Sequence, residues 1–168
     1  MKDYSDVNVE QWSEASGMRQ KGLRIESNVN SGSLDVYDNI AKCFYVYNPG
    51  DVPTDFIIRA KFNGGSIPSG SIYLNQGNEI LRFNAITAQG SDYGIQINTK
   101  LNLIEGIDAN NNKTGTLYND YVASGEFFKI PTTGVGMDAS TVLSLYFDLS
   151  GGVGSSHLPQ IEYNYLYF

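Results

Sequence analysis

Tyr47-Asn48-Pro49-Gly50-Asp51-Val52-Pro53, running straight into Thr54-Asp55-Phe56-Ile57-Ile58-Arg59-Ala60-Lys61-Phe62, is the stretch that decides the fold. In its first part Pro49 sets φ near the value wanted at the second position of a turn. Gly50 accepts the positive φ that a type II turn needs next. Asn48, Pro49, Gly50 and Asp51 are therefore read as a structural turn. Pro53 has no N–H to give to a ladder, so it belongs at the first residue of a strand or on an edge. In the second part Phe56, Ile58, Ala60 and Phe62 fall on one face, with Asp55, Ile57, Arg59 and Lys61 opposite. That period of two is the clearest strand signal in the chain. The whole stretch reads as strand, sharp turn, strand.

Upstream, Lys42–Tyr47 alternates Phe44 and Val46 against Cys43, Tyr45 and Tyr47. Residues 1–35 are polar, with Trp12 as the one large anchor, and read as an arm or linker; Val9 to Met18 has room for a turn or two of helix. Residues 36–168 read as the folded domain.

Downstream, short strand-like runs follow one another. Ser71–Leu74 and Glu79–Ile86 flank the hairpin connection Asn75-Gln76-Gly77-Asn78. Gly94–Asn98 points Ile95 and Ile97 inward, and Leu101–Ile107 follows. Asp108 to Lys113 turns into Thr114–Tyr118, and Asn119–Ala123 suits a short helical turn. Phe127-Phe128-Lys129-Ile130-Pro131 is an apolar plug with a proline stop. Thr141–Asp148, the glycine-rich loop Ser150–Ser156 and a last strand, Gln160–Phe168, complete the chain. Short strands with turns every 8–12 residues and no long helix predict an all-β fold of two packed antiparallel sheets, a β-sandwich.

The totals agree with one domain. The chain has 168 residues, with 18 glycines, 12 tyrosines and 8 phenylalanines, a composition that favours strands. A formal charge of −7 with its 11 basic residues scattered argues against nucleic acid as a partner. The longest apolar runs fall far short of the ~18 residues that span a bilayer, so no membrane insertion is expected. The single Cys43 permits no intramolecular disulfide and reads as a small buried hydrophobe.

Chemistry-bearing candidates are few. His157, the only histidine, lies in Gly151-Gly152-Val153-Gly154-Ser155-Ser156-His157, which has neither a nucleophile elbow nor the Lys-Ser/Thr of a phosphate cradle. No catalytic residue, no cofactor and no enzymatic activity are expected. Asp108, Asn110 and Asn112 have the alternating oxygen spacing of a calcium loop. Lys113 stands where the sharp-turn glycine would be, however, and Asn119 where a bidentate glutamate would be, so a hairpin tip is favoured. Tyr163, Tyr165 and Tyr167 on one face of the last strand read as core or subunit-contact residues, and with Leu166 and Phe168 on the other they form a candidate contact surface. Its greasy end is expected to be covered, by the 1–35 arm or by a neighbouring subunit.

The order of four segments resembles the C-terminal, galectin-like β-sandwich of phage distal tail proteins, the siphophage tail-component family. The segments are Tyr47–Pro53 before its long strand; Glu79-Ile80-Leu81-Arg82-Phe83; Gly94-Ile95-Gln96-Ile97-Asn98-Thr99, with Asn98 where the family usually has aspartate; and Phe127–Gly134 with the closing Ile161-Glu162-Tyr163-Asn164-Tyr165. The resemblance covers roughly residues 42–168. It implies a galectin-like jelly roll acting as an adaptor or decoration at a phage or prophage tail tip or baseplate, made in the bacterial cytoplasm and located in the virion tail. Its implied partners are tail-tube, tail-tip or receptor-binding proteins, and a hexameric ring in the full-length family. The alternative is a carbohydrate-binding module for cell-wall or host-surface glycans. A galectin's His/Asn/Arg/Trp sugar site is not carried over, because His157 and Trp12 lie far apart in the chain.

Overall fold

A computed structural model describes residues 24–27, 37–50, 52–77, 79–132 and 142–167, with 24–27 and 165–167 described by backbone course alone. The Val9–Met18 helix, Trp12, Asp51 and Phe168 lie outside the described residues. The strands are β1 (Arg24–Ser27), β2 (Tyr37–Asp38), β3 (Cys43–Val46), β4 (Phe56–Lys61), β5 (Ser66–Ile67), β6 (Gly70–Leu74) and β7 (Ile80–Phe83). They continue with β8 (Ile86–Thr87), β9 (Gly94–Asn98), β10 (Leu103–Ile107), β11 (Lys113–Leu117), β12 (Val122–Gly125), β13 (Leu143–Leu149) and β14 (Gln160–Tyr167). One turn of 3-10 helix, Asn119–Tyr121, sits between β11 and β12.

Two six-stranded antiparallel sheets result, so the chain is an all-β sandwich. Sheet I runs β1-β14-β4-β9-β10-β11 and sheet II runs β12-β7-β6-β13-β3-β2, while β5 and β8 form a small ribbon of their own. Alternation explains the layers. On β4 Phe56, Ile58 and Ala60 are buried, and on β13 Leu143, Leu145, Phe147 and Leu149 are buried, with partly exposed residues between them. These rows, with Phe44, Ile72, Ile97 and Ile104, make one continuous core. Removing such surface from water contributes roughly 25 cal/mol per Å².

The opening stretch proves to be a crossing between sheets, since β3 lies in sheet II and β4 in sheet I. Asn48, fully buried, organises it. Its Oδ1 accepts the Gly50 N–H at 3.1 Å, and its Nδ2 donates to Val52 O at 2.9 Å and Ile130 O at 3.2 Å. The turn is thus tied by an asparagine side chain. Thr54 then pairs with Ile130 through two backbone hydrogen bonds of 2.9 and 2.8 Å, which seats the Phe127–Pro131 segment against the start of β4.

The Glu79–Ile86 run is two elements rather than one strand. β7 ends at Phe83, Asn84 N–H donates to Tyr121 O, and β8 leaves sheet II to pair with β5. The hairpin between β6 and β7 forms where expected, with Gly77 at φ 117°, a conformation that side chains resist. Sequence reading also left Arg24–Ser27 in the polar arm. Its backbone forms β1, paired antiparallel with the far half of β14: Arg24 opposite Tyr167, Ser27 opposite Asn164.

Candidate functional site

The outer faces of the two sheets differ in chemistry. On sheet I the outward residues of five neighbouring strands, Gln160, Arg59, Gln96, Glu105 and Leu117, stand in one register row. Their polar groups are spent on each other and on adjacent rows. Arg59 Nη1 meets Glu162 Oε2 at 2.6 Å, Gln96 Nε2 donates to Glu105 Oε2 at 2.9 Å, and Lys113 Nζ lies 3.1 Å from Glu105 Oε1. Gln96 and Glu105 are buried although they face away from the core. Asp55 Oδ1 and Arg59 Nε are buried with no hydrogen-bond partner among the described residues.

On sheet II the outward row is Asp38, Cys43, Tyr146, Tyr73 and Ile80. Tyr73 and Tyr146, on adjacent strands, stack with ring centroids 4.6 Å apart and planes within 3°. Tyr45 O–H donates to Asp38 Oδ2 at 2.9 Å. That bond holds the proton on the phenol, whose pKa is pushed up to about 12, while the Ala41 N–H and the Tyr45 hydroxyl hold the Asp38 carboxyl below its ordinary value. Burial pushes up both the Cys43 thiol and the Tyr73 phenol.

The next row along the same face runs Asp148, Ser71, Arg82 across β13, β6 and β7. Lys42 Nζ pairs with Asp148 at 3.0 Å. Arg82 is exposed and makes no ion pair or hydrogen bond with its side chain among the described residues. Beside this row lies a shallow trough of about 370 Å³, edged by Ser69, Ser71, Arg82, Asn84, Asp148 and Ser150.

The residues singled out from sequence fall elsewhere. Tyr163 takes the core side of the two readings and not the contact surface: it points into the core at 2 % exposure, and its hydroxyl accepts the Tyr47 N–H at 3.1 Å. The reason is parity, since it shares its face with Ile161, which is also buried. The backbone of Tyr165, Leu166 and Tyr167 pairs with β1; their side chains are outside the description, as is Phe168.

Asp108 closes the β10–β11 hairpin. Its Oδ1 accepts the N–H groups of Asn110 and Asn112 at 2.8 and 2.9 Å, and its Oδ2 accepts Asn112 Nδ2 at 3.1 Å. These bonds, led by the Asn112 N–H, hold its carboxyl below the usual range. The oxygens that a calcium ion would need already serve amide donors. Among the described residues no group of three or more His, Cys, Asp or Glu side chains is placed to hold a metal ion.

His157 sits in the loop after β13, its Nδ1 2.8 Å from Ser156 Oγ, at the rim of a cavity of about 200 Å³ floored by Phe147, Leu149 and Ile67. Asn98 and Thr99, quoted for the resemblance, fasten the β9–β10 turn. Asn98 Oδ1 accepts the Leu101 N–H, and Thr99 Oγ1 accepts from Phe56 N at 2.8 Å and donates to Phe56 O at 3.1 Å.

Sequence reading missed the tyrosine face. Its signal was present in Tyr45 and Tyr146, aromatic residues on the side of their strands opposite the apolar one. Only the strand order makes Tyr73 and Tyr146 neighbours. Fold and faces together describe a β-sandwich with one face rich in bonds between its own side chains and one face that carries stacked tyrosines. No protein-family model, curated protein or solved structure matches the chain.

Proposed function

We propose that this chain is a structural, non-enzymatic domain of a phage or prophage tail tip or baseplate, serving as an adaptor or decoration at the distal tail. The observation that carries the reading is the contrast between the edges of the sandwich. β11 and β12 are exposed and carry register shifts against β10 and β7, devices that blunt an edge against pairing. β14 is long and keeps an unbroken register, and its far half takes β1 as an added strand. A strand end that is completed by a short segment of the chain's own N-terminal arm, and not blunted by a register shift, suits a module held between neighbours.

The placement of the acids agrees with a binding role. Among the described residues Asp38, Asp92 and Asp108 are tied to their own turns or to a tyrosine, and Glu105 and Glu162 to basic partners. The setting comes from the likeness of Tyr47–Pro53 and the three segments that follow it to distal tail proteins. In that setting the partners are tail-tube, tail-tip or receptor-binding proteins.

Mass spectrometry of purified virions, with gold-labelled antibody against residues 37–167 viewed by electron microscopy, tests the proposal. The expected result is stoichiometric peptide in the particles and label at the distal end of the tail. A chain abundant in infected cells and absent from purified particles overturns it.

A further inference from the structure

We infer that the trough on the outer face of sheet II is a binding site for a hydroxyl-rich saccharide. It is lined by Ser69, Ser71, Arg82, Asn84, Asp148 and Ser150, and the stacked Tyr73–Tyr146 pair stands in the row beside it. The site is independent of the tail assignment and of the β14 edge.

On sheet I Arg59, Gln96 and Glu105 bond within the row and to Glu162 and Lys113, and the one Arg59 atom left over, Nε, is buried. On sheet II the Arg82 guanidinium has five donors in a fixed fork and no partner among the described residues. Asp148 supplies the opposite polarity two strands away, with one oxygen on Lys42 at 3.0 Å and Oδ2 engaged by no other side chain among the described residues. Adjacent strands lie about 4.8 Å apart, so the fork and the carboxylate face each other across about 10 Å with the Ser71 hydroxyl between them.

Ser69 and Ser150, whose hydroxyls lie 3.2 Å apart, close the end of the trough. The polar lining therefore has a donor end at Arg82, an acceptor end at Asp148, and serine and asparagine groups that can do either. A simple anion would satisfy Arg82 but meet the Asp148 charge, and an apolar ligand would strand all of these groups. A polyol, each hydroxyl both donor and acceptor, satisfies both ends. The apolar part of the lining is Phe83 and Ala123, beside a few convergent polar groups, and the stacked tyrosine pair lies one row further along the same face.

The test uses the whole chain. Neutral glucan and N-acetylglucosamine oligomers are titrated by nuclear magnetic resonance, with inorganic phosphate in a parallel arm. Binding by an oligosaccharide with shifts confined to Ser71, Tyr73, Arg82, Asn84 and Asp148 is expected. Arg82→Ala and Asp148→Asn should each weaken it by about tenfold or more, the usual loss when one partner of a directed polar contact is removed. Arg82→Lys keeps the charge without the fork and should not restore it, while Lys100→Ala beside the outer face of sheet I should leave it unchanged. Arg82 is exposed, so its variants should melt like the parent. No response to any oligosaccharide, a response to phosphate alone, or saccharide binding indifferent to Arg82 and Asp148 overturns the inference.

Discussion

The outer faces of sheets I and II come from one chain and one rule of alternation, yet they end in different chemical states. Sheet I carries charges on its central strands and neutralises them internally, down to a buried Glu105 that serves both Gln96 and Lys113. Sheet II puts tyrosines at its centre and leaves Arg82 with no partner among the described residues. The difference shows that polar content does not mark a binding face. What distinguishes sheet II is that its unused capacity is exposed, at the Arg82 guanidinium, whereas the unused atoms of sheet I, Asp55 Oδ1 and Arg59 Nε, are buried.

The comparison breaks most visibly at Glu105. Truncating it to alanine leaves Gln96 Nε2 buried without its acceptor and Lys113 without its pair, and should cost about 2–3 kcal/mol in urea unfolding. A change below about 0.5 kcal/mol would mean that the sheet I row is decorative. A middle-sized effect is expected at the stacked tyrosines. Tyr73→Ala and Tyr146→Ala, combined in a double-mutant cycle, should reveal a coupling of about 0.5–1.5 kcal/mol. Additive losses would show two independent rings.

Alkaline pH sharpens the contrast further. Tyr45, hydrogen-bonded to Asp38, has its pKa raised from 10.0 to about 12, so the folded state holds that proton more tightly than the unfolded chain. Its contribution is complete below pH 10 and is lost as pH rises towards 12. Tyr118 behaves likewise: burial first, then its bond to Asp92 at 2.5 Å, raises it to about 12. The single change Tyr45→Phe should flatten part of the fall in melting temperature between pH 10 and 12, and Tyr45→Phe/Tyr118→Phe more of it. Curves that superimpose on the parent would refute the assignment. At the acid end Asp38, held below its ordinary value, loses its contribution as pH falls through its lowered pKa. The smallest effect belongs to Arg82→Ala, which should alter stability by no more than about 0.5 kcal/mol, because it removes a side chain that bonds to nothing described.

How much was legible follows from the range of each signal. Alternation is local, so β4, β6, β9 and β13 could be read from their own residues, and Gly77 located the β6–β7 hairpin. The inward set Ile161 and Tyr163 was grouped correctly, but the direction of the group was left open, and Tyr163 proved to be core. The break after Phe83 depends on a bond from Asn84 to Tyr121, far along the chain, and no pattern within Glu79–Ile86 announces it. The tyrosine face is less legible still. Tyr45, Tyr73 and Tyr146 come from strands that meet only through the order β6-β13-β3. The polar arm concealed β1 because Arg24-Ile25-Glu26-Ser27 is short and takes its strand character from the partner it pairs with.

One consequence of that pairing is mechanical. β14 is gripped by β4 along Gln160–Tyr163 and by β1 along Asn164–Tyr167, so a single strand passes from one clamp to the other. Tension applied along the strand axis at Arg24 would load the four-residue β1–β14 ladder in shear, then travel down β14 to bonds anchored beside Ile58 in the core. Backbone bonds loaded in parallel yield together rather than one after another. The molecule would therefore behave as a tether with a defined weak link, releasing the Arg24–Ser27 segment while the sandwich behind it stays folded.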